Sequence, residues 1–439
     1  MSWKKTKIGK FLFEREGRFK PNDKSLLNLN RLEKIDFSGN FHIGQKASRT
    51  DMILIKRGDF VISGINVSKG AMGIYRESSD ITATIHYSSY TFDESKIDIN
   101  YFEHFLQSAE FVRLLEDQVK GGIKTEIKAK HLLNLEIYLP SLDQQKQIAE
   151  KLKHSEEKQK LLKQQIDNQK TNLKNLRKQI LQDAIEGKLT KEWREKNPDV
   201  ESASELLKKI KREKEKLISE KKIKKEKPLP SINESEIPFE LPENWVWTRL
   251  GEICYKIHYG FNASAKKEKD GVRLLRITDI QDSKVDWHNV PGCYYSEKDI
   301  ETYGLNENDI VIARTGGTIG KSFLVKNKIV ESLFASYLIR LIPSKLSLSE
   351  YIKLFLETPI YWKQLFNAAW GAGQPNVNGS SLQKLFFPLP PVAEQHAIVS
   401  KLQTLMQKLD EAEKQIENSL ETSKLLTKAI LAEAFKNEG

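Results

Sequence analysis

The chain has 439 residues, of which 39% are hydrophobic and 30% charged, and its formal net charge is +11. This length favours two or three domains, and no apolar run approaches the roughly 18 residues that a membrane span requires. The two cysteines exclude a disulfide framework, and the amino terminus lacks the apolar stretch of a secretory signal, so we expect a cytoplasmic protein.

The positive charge invites a nucleic-acid partner, because cationic surfaces release counterions from phosphates. Its distribution argues for caution. Between Ser202 and Lys227, eleven Lys and Arg residues stand against five Asp and Glu, so +6 of the total of +11 lies in one segment. Charge alone therefore does not decide for DNA.

An internal repeat organises the chain, because many residues of the first half recur 250 positions later. The recurring residues are Gly121, Leu132, Leu135, Leu139, Pro140, Gln145, Ile148, Lys151 and Leu152, which return as Gly371, Leu382, Leu385, Leu389, Pro390, Gln395, Ile398, Lys401 and Leu402. The starts of the copies, Trp3 and Trp245, differ by 242, which implies about eight extra residues in early loops of the second copy. Two similar units predict pseudo-two-fold symmetry and a partner with two similar, separated half-sites.

Each copy begins with a globular segment in which short β-like runs precede a helix. In the first copy the runs are 60–62 and 81–85, and the apolar spacing over 100–118 predicts a core-facing helix. In the second copy we expect strands near 274–277, 310–313 and 337–342 and a helix over 349–366. A Leu-Pro pair closes each globular segment.

A long helix follows each Leu-Pro pair, with apolar residues spaced four and three apart as in a coiled-coil seam. The predicted seam residues are Ile148, Leu152, Leu162, Ile166, Leu173, Leu176 and Ile180 in the first helix and Ile398, Leu402, Leu405, Leu409, Ile416, Leu426 and Ile430 in the second. Polar residues weaken each seam alone, so we expect the helices to pack on each other, antiparallel, over roughly 60 Å. The alternative is that each helix packs only on its own globular segment.

The predicted fold is therefore α+β, with two similar globular α/β domains separated by a long antiparallel two-helix coiled coil. The predicted domains are a first globular domain (1–142), a first long helix (143–187), a charged linker with a helical segment (188–241), a second globular domain (242–392) and a second long helix (393–439). The linker charges are most simply a solvated surface, with phosphate contact as the alternative.

Residues 313–322 suggest a phosphate-binding loop but lack its first glycine, because Thr315 stands at that position. A turn there would expose Arg314, Thr315, Thr318 and Lys321 together, and Arg is the commonest specific reader of guanine. The alternative is a plain turn after a strand.

The loop over 370–378 is a second candidate reader, since Gln and Asn match the adenine edge and glycines permit close backbone approach. An ordinary polar turn is the alternative. The remaining candidate DNA-binding residues come from this loop, its counterpart in the first copy and other polar loops: Lys46, Arg49, Asn66, Ser68, Lys69, Lys124, Lys128, Arg276, Gln374, Asn376 and Asn378.

Signatures of catalysis are missing where they would be expected. The sequence has no Asn/Asp-Pro-Pro-aromatic motif of amino-methyltransferases and no glycine-rich strand-turn-helix for an adenosyl cofactor. Four residues, Cys254, His258, His288 and Cys293, occur in an order unlike that of common zinc modules. We predict no catalytic residue and no metal site.

Six segments follow one another along the chain: LPSLDQQKQIAEKL, AIEGKLTKEWR, ELPENWVWTRLGEI, GVRLLRITDI, NENDIVIARTGGTIGKSFLV and GAGQPNVNGSSLQKLFFPLPPVAEQHAIVSKL. In this order they resemble the DNA-specificity subunits of type I restriction-modification systems. The resemblance implies two target recognition domains that each read half of a split DNA site, and two helices that dock two methyltransferase subunits. It also implies nuclease-translocase subunits as partners, and no cofactor in this chain, since the methyltransferase is expected to use S-adenosylmethionine.

The first domain departs from the family pattern, because its loop at Lys124 lacks the Gln-Pro-Asn of the second. Two alternatives stay open: a coiled-coil scaffold whose duplicated domains bind proteins, and a stand-alone enzyme such as a fused methyltransferase.

Overall fold

A computed structural model describes residues 3–21, 23–26, 28–36, 39–46, 48–64, 71–118, 132–266, 271–281, 284–328, 330–369 and 377–436. The chain divides into two compact units. Unit 1 comprises Met1–Asn168 with Ile416–Gly439, and unit 2 comprises Gln169–Gln415.

Unit 1 contains two four-stranded sheets and one two-stranded ribbon among its described residues. Its strands are β1 (Lys4–Lys7), β2 (Leu12–Glu14), β3 (Arg31–Ile35), β4 (Phe41–Gly44), β5 (Met52–Ile55), β6 (Phe60–Ser63), β7 (Met72–Ile74), β8 (Ile81–Thr84), β9 (Tyr87–Phe92) and β10 (Glu136–Leu139). One sheet has the order β2-β9-β6-β7, and the other has the order β4-β3-β8-β5 with β3 parallel to β8. The ribbon pairs β1 with β10, so that Lys4 lies opposite Leu139.

Unit 2 repeats the ribbon and the first sheet, and its second sheet shares three strands with that of unit 1 but adds the fourth at the opposite edge. Its strands are β11 (Val246–Arg249), β12 (Cys254–Tyr259), β13 (Ala265–Lys266), β14 (Arg273–Leu275), β15 (Ile280–Gln281), β16 (Lys284–Val285), β17 (Gly292–Cys293), β18 (Ile310–Ala313), β19 (Ser322–Leu324), β20 (Ser332–Phe334), β21 (Leu338–Pro343) and β22 (Phe386–Leu389). The sheets run β12-β21-β18-β19 and β13-β17-β14-β20, and β15 pairs with β16. The ribbon β11-β22 places Val246 opposite Leu389, which are the repeat equivalents of Lys4 and Leu139.

The parallel strand pair carries the same equivalence. Arg31 lies opposite Thr82 in unit 1, and Arg273 lies opposite Ser332 in unit 2. These partners differ by the offsets of 242 and 250 residues that the sequence shows. The predicted internal repeat is therefore confirmed at the level of strand register.

The helices are α1 (Ile99–Leu106), α2 (Ala109–Gln118), α3 (Leu142–Ile185), α4 (Lys191–Lys196), α5 (Ala203–Ser219), α6 (Glu297–Tyr303), α7 (Ser349–Phe355), α8 (Pro359–Ala369), α9 (Gly379–Gln383) and α10 (Val392–Ala434). The single helices predicted over 100–118 and 349–366 are wrong, because each is a pair of shorter helices. Ser108 and Thr358 cause the break. Each hydroxyl donates to a carbonyl three residues back and accepts the backbone N–H three residues on, and so caps the second helix.

The long helices α3 and α10 pair antiparallel in each unit. In unit 1, Ile148 and Leu152 share a core with Ile430, while Gln159 Nε2 donates to the carbonyl of Ser423 at 3.1 Å. Residue numbers thus rise along one helix where they fall along the other, so the two helices run antiparallel.

In unit 2, Ile180 and Leu181 share a core with Ile398 and Leu402, and Arg177 Nη2 lies 2.6 Å from Asp410 Oδ1. The helices therefore do not pack only on their own globular segments, and the predicted antiparallel pairing is confirmed.

The seam prediction needs correction at two equivalent positions. Leu176 is 47% exposed and Leu426 is 59% exposed, whereas their neighbours Arg177 and Thr427 are half-buried. After Leu162, two successive buried or half-buried positions follow at intervals of four residues, without a three-residue interval between them. The reason is that a helix of 3.6 residues per turn drifts from a strict 3.5-residue repeat. The other predicted seam residues are buried or half-buried.

The linker is more than a solvated surface, since its apolar side packs into unit 2. Ala203, Leu206 and Ile210 of α5 are buried in the main core of that unit. Arg249 fixes the following segment by donating to the carbonyls of Pro230 at 2.7 Å and Ser231 at 3.0 Å. The exposed side of α5 keeps the lysines.

A buried carboxylate fastens the start of the linker to α10. Glu394 is 1% exposed and accepts hydrogen bonds from Thr190 Oγ1 at 2.6 Å, Arg194 Nη1 at 2.6 Å and Trp245 Nε1 at 2.7 Å. Three donors, one of them charged, satisfy the carboxylate in the interior.

Candidate nucleic-acid interface

Residues 314–321, here called the Arg314 turn, join β18 to β19. Gly316 and Gly320 have φ values of 77° and 80°, which side-chain-bearing residues rarely adopt. A Cβ on Gly320 would also lie 2.3 Å from Leu365 Cδ2 and 2.8 Å from Trp362 Cζ3. The glycines therefore let the turn reverse tightly against α8. Arg314, Thr315, Thr318 and Lys321 lie in this one turn, but only Lys321 is exposed, whereas the other three are half-buried.

Arg314 is stacked on an aromatic ring. Its Cζ lies 4.6 Å from the ring centroid of Tyr259, the last residue of β12. Its Nε is buried without a hydrogen-bond partner among the described residues. A guanidinium over the face of a tyrosine ring is held there by cation–π attraction.

Backbone hydrogen bonds fix the Arg314 turn to two neighbouring segments. The N–H of Arg314 donates to the carbonyl of Tyr337 at 3.1 Å, and its carbonyl accepts from the N–H of Val377 at 3.0 Å. The N–H of Gly379 donates to the hydroxyl of Tyr259 at 3.1 Å. The structure thus places the Arg314 turn beside the start of α9.

The predicted loop over 370–378 is only partly described, and Gln374 and Asn376 lie outside the described residues. Asn378 is exposed, and its Oδ1 accepts the N–H of Ser381 at 2.8 Å. Its side-chain oxygen therefore caps α9. Its predicted contact with a base stays a prediction.

A cleft of about 480 Å³ lies between the Arg314 turn, the 277–281 segment and helices α7 and α8. Thr318, Lys321, Gln281 and Trp362 are among the residues that line it. Lys321 is exposed at this cleft.

Arg276 precedes the segment on the other side of the cleft, and it is paired within the chain. Its Nε and Nη2 lie 3.1 Å and 2.8 Å from the carboxylate oxygens of Asp279, and this hydrogen bonding raises the pKa of Arg276. The charge of Arg276 is therefore largely neutralised, so that it is a weaker phosphate contact than the sequence suggests.

Unit 1 presents fewer of the predicted residues. Lys46 is exposed and its Nζ lies 3.0 Å from Glu33 Oε2, while Arg49 is exposed nearby. A cleft of about 600 Å³ is lined by Arg31, Lys46 and Thr82 among others. Five candidates lie outside the described residues: Asn66, Ser68, Lys69, Lys124 and Lys128.

Sequence reasoning missed the tyrosines on the surface of unit 2. Tyr294 is 78% exposed with Lys266 Nζ 4.9 Å from its ring centroid, and Tyr259 and Tyr337 are also exposed. Exposed aromatic side chains suit stacking and interface contacts. The adjacent pair Tyr294 and Tyr295 could have indicated exposed tyrosines in the sequence. No sequence pattern, however, predicts the contact between Tyr259 and Arg314.

The structure describes no metal-binding constellation among the residues it covers, where no group of three or more His, Cys, Asp and Glu side chains could hold an ion. Cys254 is fully buried, and burial raises the pKa of its thiol to about 12. A thiol in that state is a weak ligand and nucleophile. Within the described part of the chain, no helix has the length and apolar character needed to cross a bilayer.

Comparison with known proteins decides the family. Residues 20–171 and 242–422 match the family model of the type I restriction modification DNA specificity domain. The chain belongs to this family. The resemblance seen in the sequence is thereby confirmed, and each matched region of this DNA specificity protein covers most of one repeat copy.

Named relatives support the assignment. The chain is 34% identical over 263 residues to the type I restriction enzyme EcoAI specificity subunit of Escherichia coli, covering 58% of this chain but only 43% of that subunit. It is 26% identical over 359 residues to the EcoKI specificity subunit of Escherichia coli strain K12, covering 79% of this chain and 66% of that subunit.

Two solved structures share the fold. The HsdS subunit from Thermoanaerobacter tengcongensis superposes with a TM-score of 0.61 at 17% identity, covering 99% of this chain and 96% of that one. A chain from a study of complex assembly and conformational transition of the type I R-M system gives 0.60 at 16% identity, covering 99% and 98%. The predicted fold of two target recognition domains with a coiled coil is confirmed.

Proposed function

We propose that the chain is the DNA-recognition subunit of a type I restriction-modification complex and catalyses no reaction itself. Each unit reads one half of a bipartite, asymmetric target in double-stranded DNA. One observation carries the proposal: the strand before the Arg314 turn pairs with equivalent neighbours in both units, but unit 2 has Arg314 where unit 1 has Gly64, 250 residues earlier. Equal scaffolds with different side chains at the same turn suit two unlike half-sites.

Arg314 is the residue that we assign to a base edge. Its Nε is buried and its Cζ lies over the ring of Tyr259, and we assign its two terminal nitrogens to the side that meets DNA. Two N–H groups in one plane match the O6 and N7 acceptors of guanine in the major groove. Thr315 and Thr318 accompany it in the same turn, and Lys321 at the cleft suits a phosphate contact, which positions the protein without specifying sequence.

Exposed leucines on the long helices support docking of two methyltransferase subunits. In the described part of unit 1 these are Leu161, Leu425 and Leu426, and in unit 2 the exposed helix leucine is Leu176. Leucines outside the seam add nothing to helix pairing but provide apolar contacts for a partner. We assign these positions to methyltransferase contacts, with nuclease-translocase subunits joining the assembled complex.

In this proposal the cofactor of the complex binds to the partner subunits and not to this chain. The methyltransferase subunits bind S-adenosylmethionine, and this chain positions them on DNA. Incubating the purified chain alone with labelled S-adenosylmethionine and DNA should give no methyl transfer, and transfer should appear when methyltransferase subunits are added. Transfer by the chain alone would contradict the proposal.

The DNA-recognition proposal is tested by sequencing the methylome of cells that express this chain with its methyltransferase subunits. A bipartite motif should appear that is absent when the chain is omitted. Exchanging residues 1–142 for the matching domain of another family member should change one half-site and leave the other as it was. A motif without two separated halves, or a change in both halves, would overturn the assignment of one half-site to each unit.

The docking proposal is tested by co-purification. Leu176→Glu and Leu426→Glu should each reduce the methyltransferase recovered with the chain, because a charge cannot be buried at an apolar contact without cost. Lys174→Glu, at an exposed position of the same helix, is the matched control and should recover the wild-type amount. Equal recovery from all three variants would exclude these leucines from the interface.

A further inference from the structure

We propose that Tyr259 is a positioning residue that determines specificity: it orients Arg314 so that unit 2 discriminates at one base pair of its half-site. The inference rests on the proposed function and adds a residue that touches no base itself. Removing the ring of Tyr259 would then relax sequence preference at a single position, whereas general binding to DNA would persist.

The sheet brings the two residues together from distant parts of the sequence. Tyr259 ends β12 and pairs with Ile339 of β21, and Ile339 in turn pairs with Ile312 of β18. Arg314 follows two residues after Ile312, beyond the end of β18. The tyrosine ring therefore lies at the same edge of the sheet as the guanidinium, with their centres 4.6 Å apart.

The hydroxyl of Tyr259 restrains the ring. It accepts the backbone N–H of Gly379 at 3.1 Å, at the first residue of α9. The carbonyl of Arg314 accepts the N–H of Val377 at 3.0 Å, two residues before Gly379. Tyr259, Arg314 and the start of α9 thus hold one another through a ring contact and two hydrogen bonds.

An arginine needs such support to read a base. Its side chain has many rotamers, and fixing them on binding costs conformational entropy. A free arginine on a surface turn can contact phosphates and bases alike, so it adds affinity without selectivity. Stacked on Tyr259, with Nε enclosed, Arg314 presents its terminal nitrogens in one direction and can satisfy only a matching pair of acceptors.

Unit 1 has no equivalent of this pair. Gly64 stands at the position of Arg314. Ser88 pairs with Ile62 as Ile339 pairs with Ile312, so Ser88 is the equivalent of Ile339. The N–H of Arg15 donates to the carbonyl of the next residue, Ser89, so Arg15 stands at the position of His258 and Glu16 at that of Tyr259. Arg15 is committed to Asp59, with both of its hydrogen bonds to that carboxylate at 2.6 Å. The effect of Tyr259 is therefore confined to the half-site of unit 2.

The experiment uses the full chain assembled with its methyltransferase subunits and a library of duplexes randomised over both half-sites. Methylated molecules are sequenced, and the base preference is measured at each position. The variants are Tyr259→Leu and Tyr259→Gln, which lack the ring, Tyr259→Phe, which keeps it, and Arg314→Ala. Tyr294→Leu is the matched control, because it removes another exposed tyrosine of unit 2 that lies beside a cation.

Both ringless variants and Arg314→Ala should lose preference at the same base pair, with discrimination there falling about tenfold or more. Tyr259→Phe should keep most of that preference, and Tyr294→Leu should leave that base pair unchanged. Tyr259 is 41% exposed, so its loss opens no cavity in the core, and the melting temperature of each complex checks this.

Three results would overturn the role of Tyr259. They are unchanged preference in the ringless variants, loss at a base pair other than the one that depends on Arg314, and a uniform drop in methylation across the library. The last would mark a merely structural residue. A wild-type complex without any sequence preference would instead contradict the proposed function, and with it this inference.

Discussion

Asp59 in unit 1 and Asp309 in unit 2 hold equivalent positions in the two repeats, but arginines from different strands neutralise them. Arg15 lies just after β2, whereas Arg340 lies within β21, at the position that Ser89 occupies in unit 1, since Val311 pairs with Arg340 and Val61 with Ser89. The aspartate is thus present in both repeats, whereas the arginine that pairs with it comes from a different place in each unit. Asp309 and Arg340 are both almost completely buried, and Arg15 remains a quarter exposed.

The first prediction concerns this difference in burial. Arg340→Met should lower the free energy of unfolding by about 3–5 kcal/mol, because it leaves a buried carboxylate unpaired. Arg15→Met should cost less, since Arg15 is a quarter exposed and Asp59 keeps hydrogen bonds from Ser89 Oγ and the N–H of Lys56. Urea unfolding followed by circular dichroism measures both. Equal losses in the two variants would contradict the assignment of the larger penalty to unit 2.

The second prediction concerns acid stability. Burial, aided by Lys256 and Arg340, lowers the pKa of His258 to about 3, and its Nε2 is buried without a partner among the described residues. The unfolded histidine takes up a proton below a pH of about 6.5, so the unfolded state binds more protons than the folded state between those values. The free energy of unfolding should therefore fall as pH drops below about 6.5.

His258→Phe removes this titration and suits the neighbouring rings of Tyr303 and Phe334. Between pH 7 and pH 5 the wild type should lose up to about 2 kcal/mol more than the variant, and carboxylates that titrate equally in both cancel in the comparison. Parallel pH profiles for the two proteins would rule out a neutral, buried His258.

The third prediction tests the corrected seam. Leu176→Ala should change the free energy of unfolding by less than about 0.5 kcal/mol in the isolated chain, because its side chain is exposed. Ile180→Ala, one turn away and buried, should cost about 2–5 kcal/mol. A large loss from Leu176→Ala would restore the strict 3.5-residue seam.

The fourth prediction tests whether the long helices set the spacing of the half-sites. Residues 163–169 and 413–419 are 250 apart, and the antiparallel register given by Gln159 and Ser423 places them opposite each other. Deleting both segments keeps the apolar stripe and shortens the helix pair by roughly 10 Å. The preferred spacer should shorten by roughly three base pairs, at about 3.4 Å each. Methylome sequencing that finds an unchanged spacer in an active complex would refute this.

Much of the scaffold was predictable from sequence because identical residues at a fixed offset must occupy equivalent places. Gln145 and Gln395 illustrate this: each donates to the carbonyl of the preceding proline, Pro140 or Pro390, at 3.0 Å. The exposure of Leu176 was not predictable, since hydrophobicity alone does not reveal how a helix drifts from a 3.5-residue repeat. The breaks at Ser108 and Thr358 were missed because a hydroxyl fits both a helix interior and a cap.

The candidate site was predictable only in part. The glycines around Arg314 indicated a turn after a strand, which the structure shows, although Arg314 itself is half-buried. Tyr259 lies 55 residues earlier, and its contact with Arg314 follows from the strand order β12-β21-β18, which no local pattern encodes. The pairing of Arg276 with Asp279 could have been noticed, since the two are three residues apart.

The ribbons β1-β10 and β11-β22 have a consequence for how such genes can change. In each unit the strand that enters the globular domain lies against the strand that leaves it, as Lys4 lies opposite Leu139 and Val246 opposite Leu389. The coding sequence between them can therefore be exchanged by two crossovers without moving either end of the insert. Under the proposed function, one such recombination event would supply a new half-site and keep the rest of the gene intact.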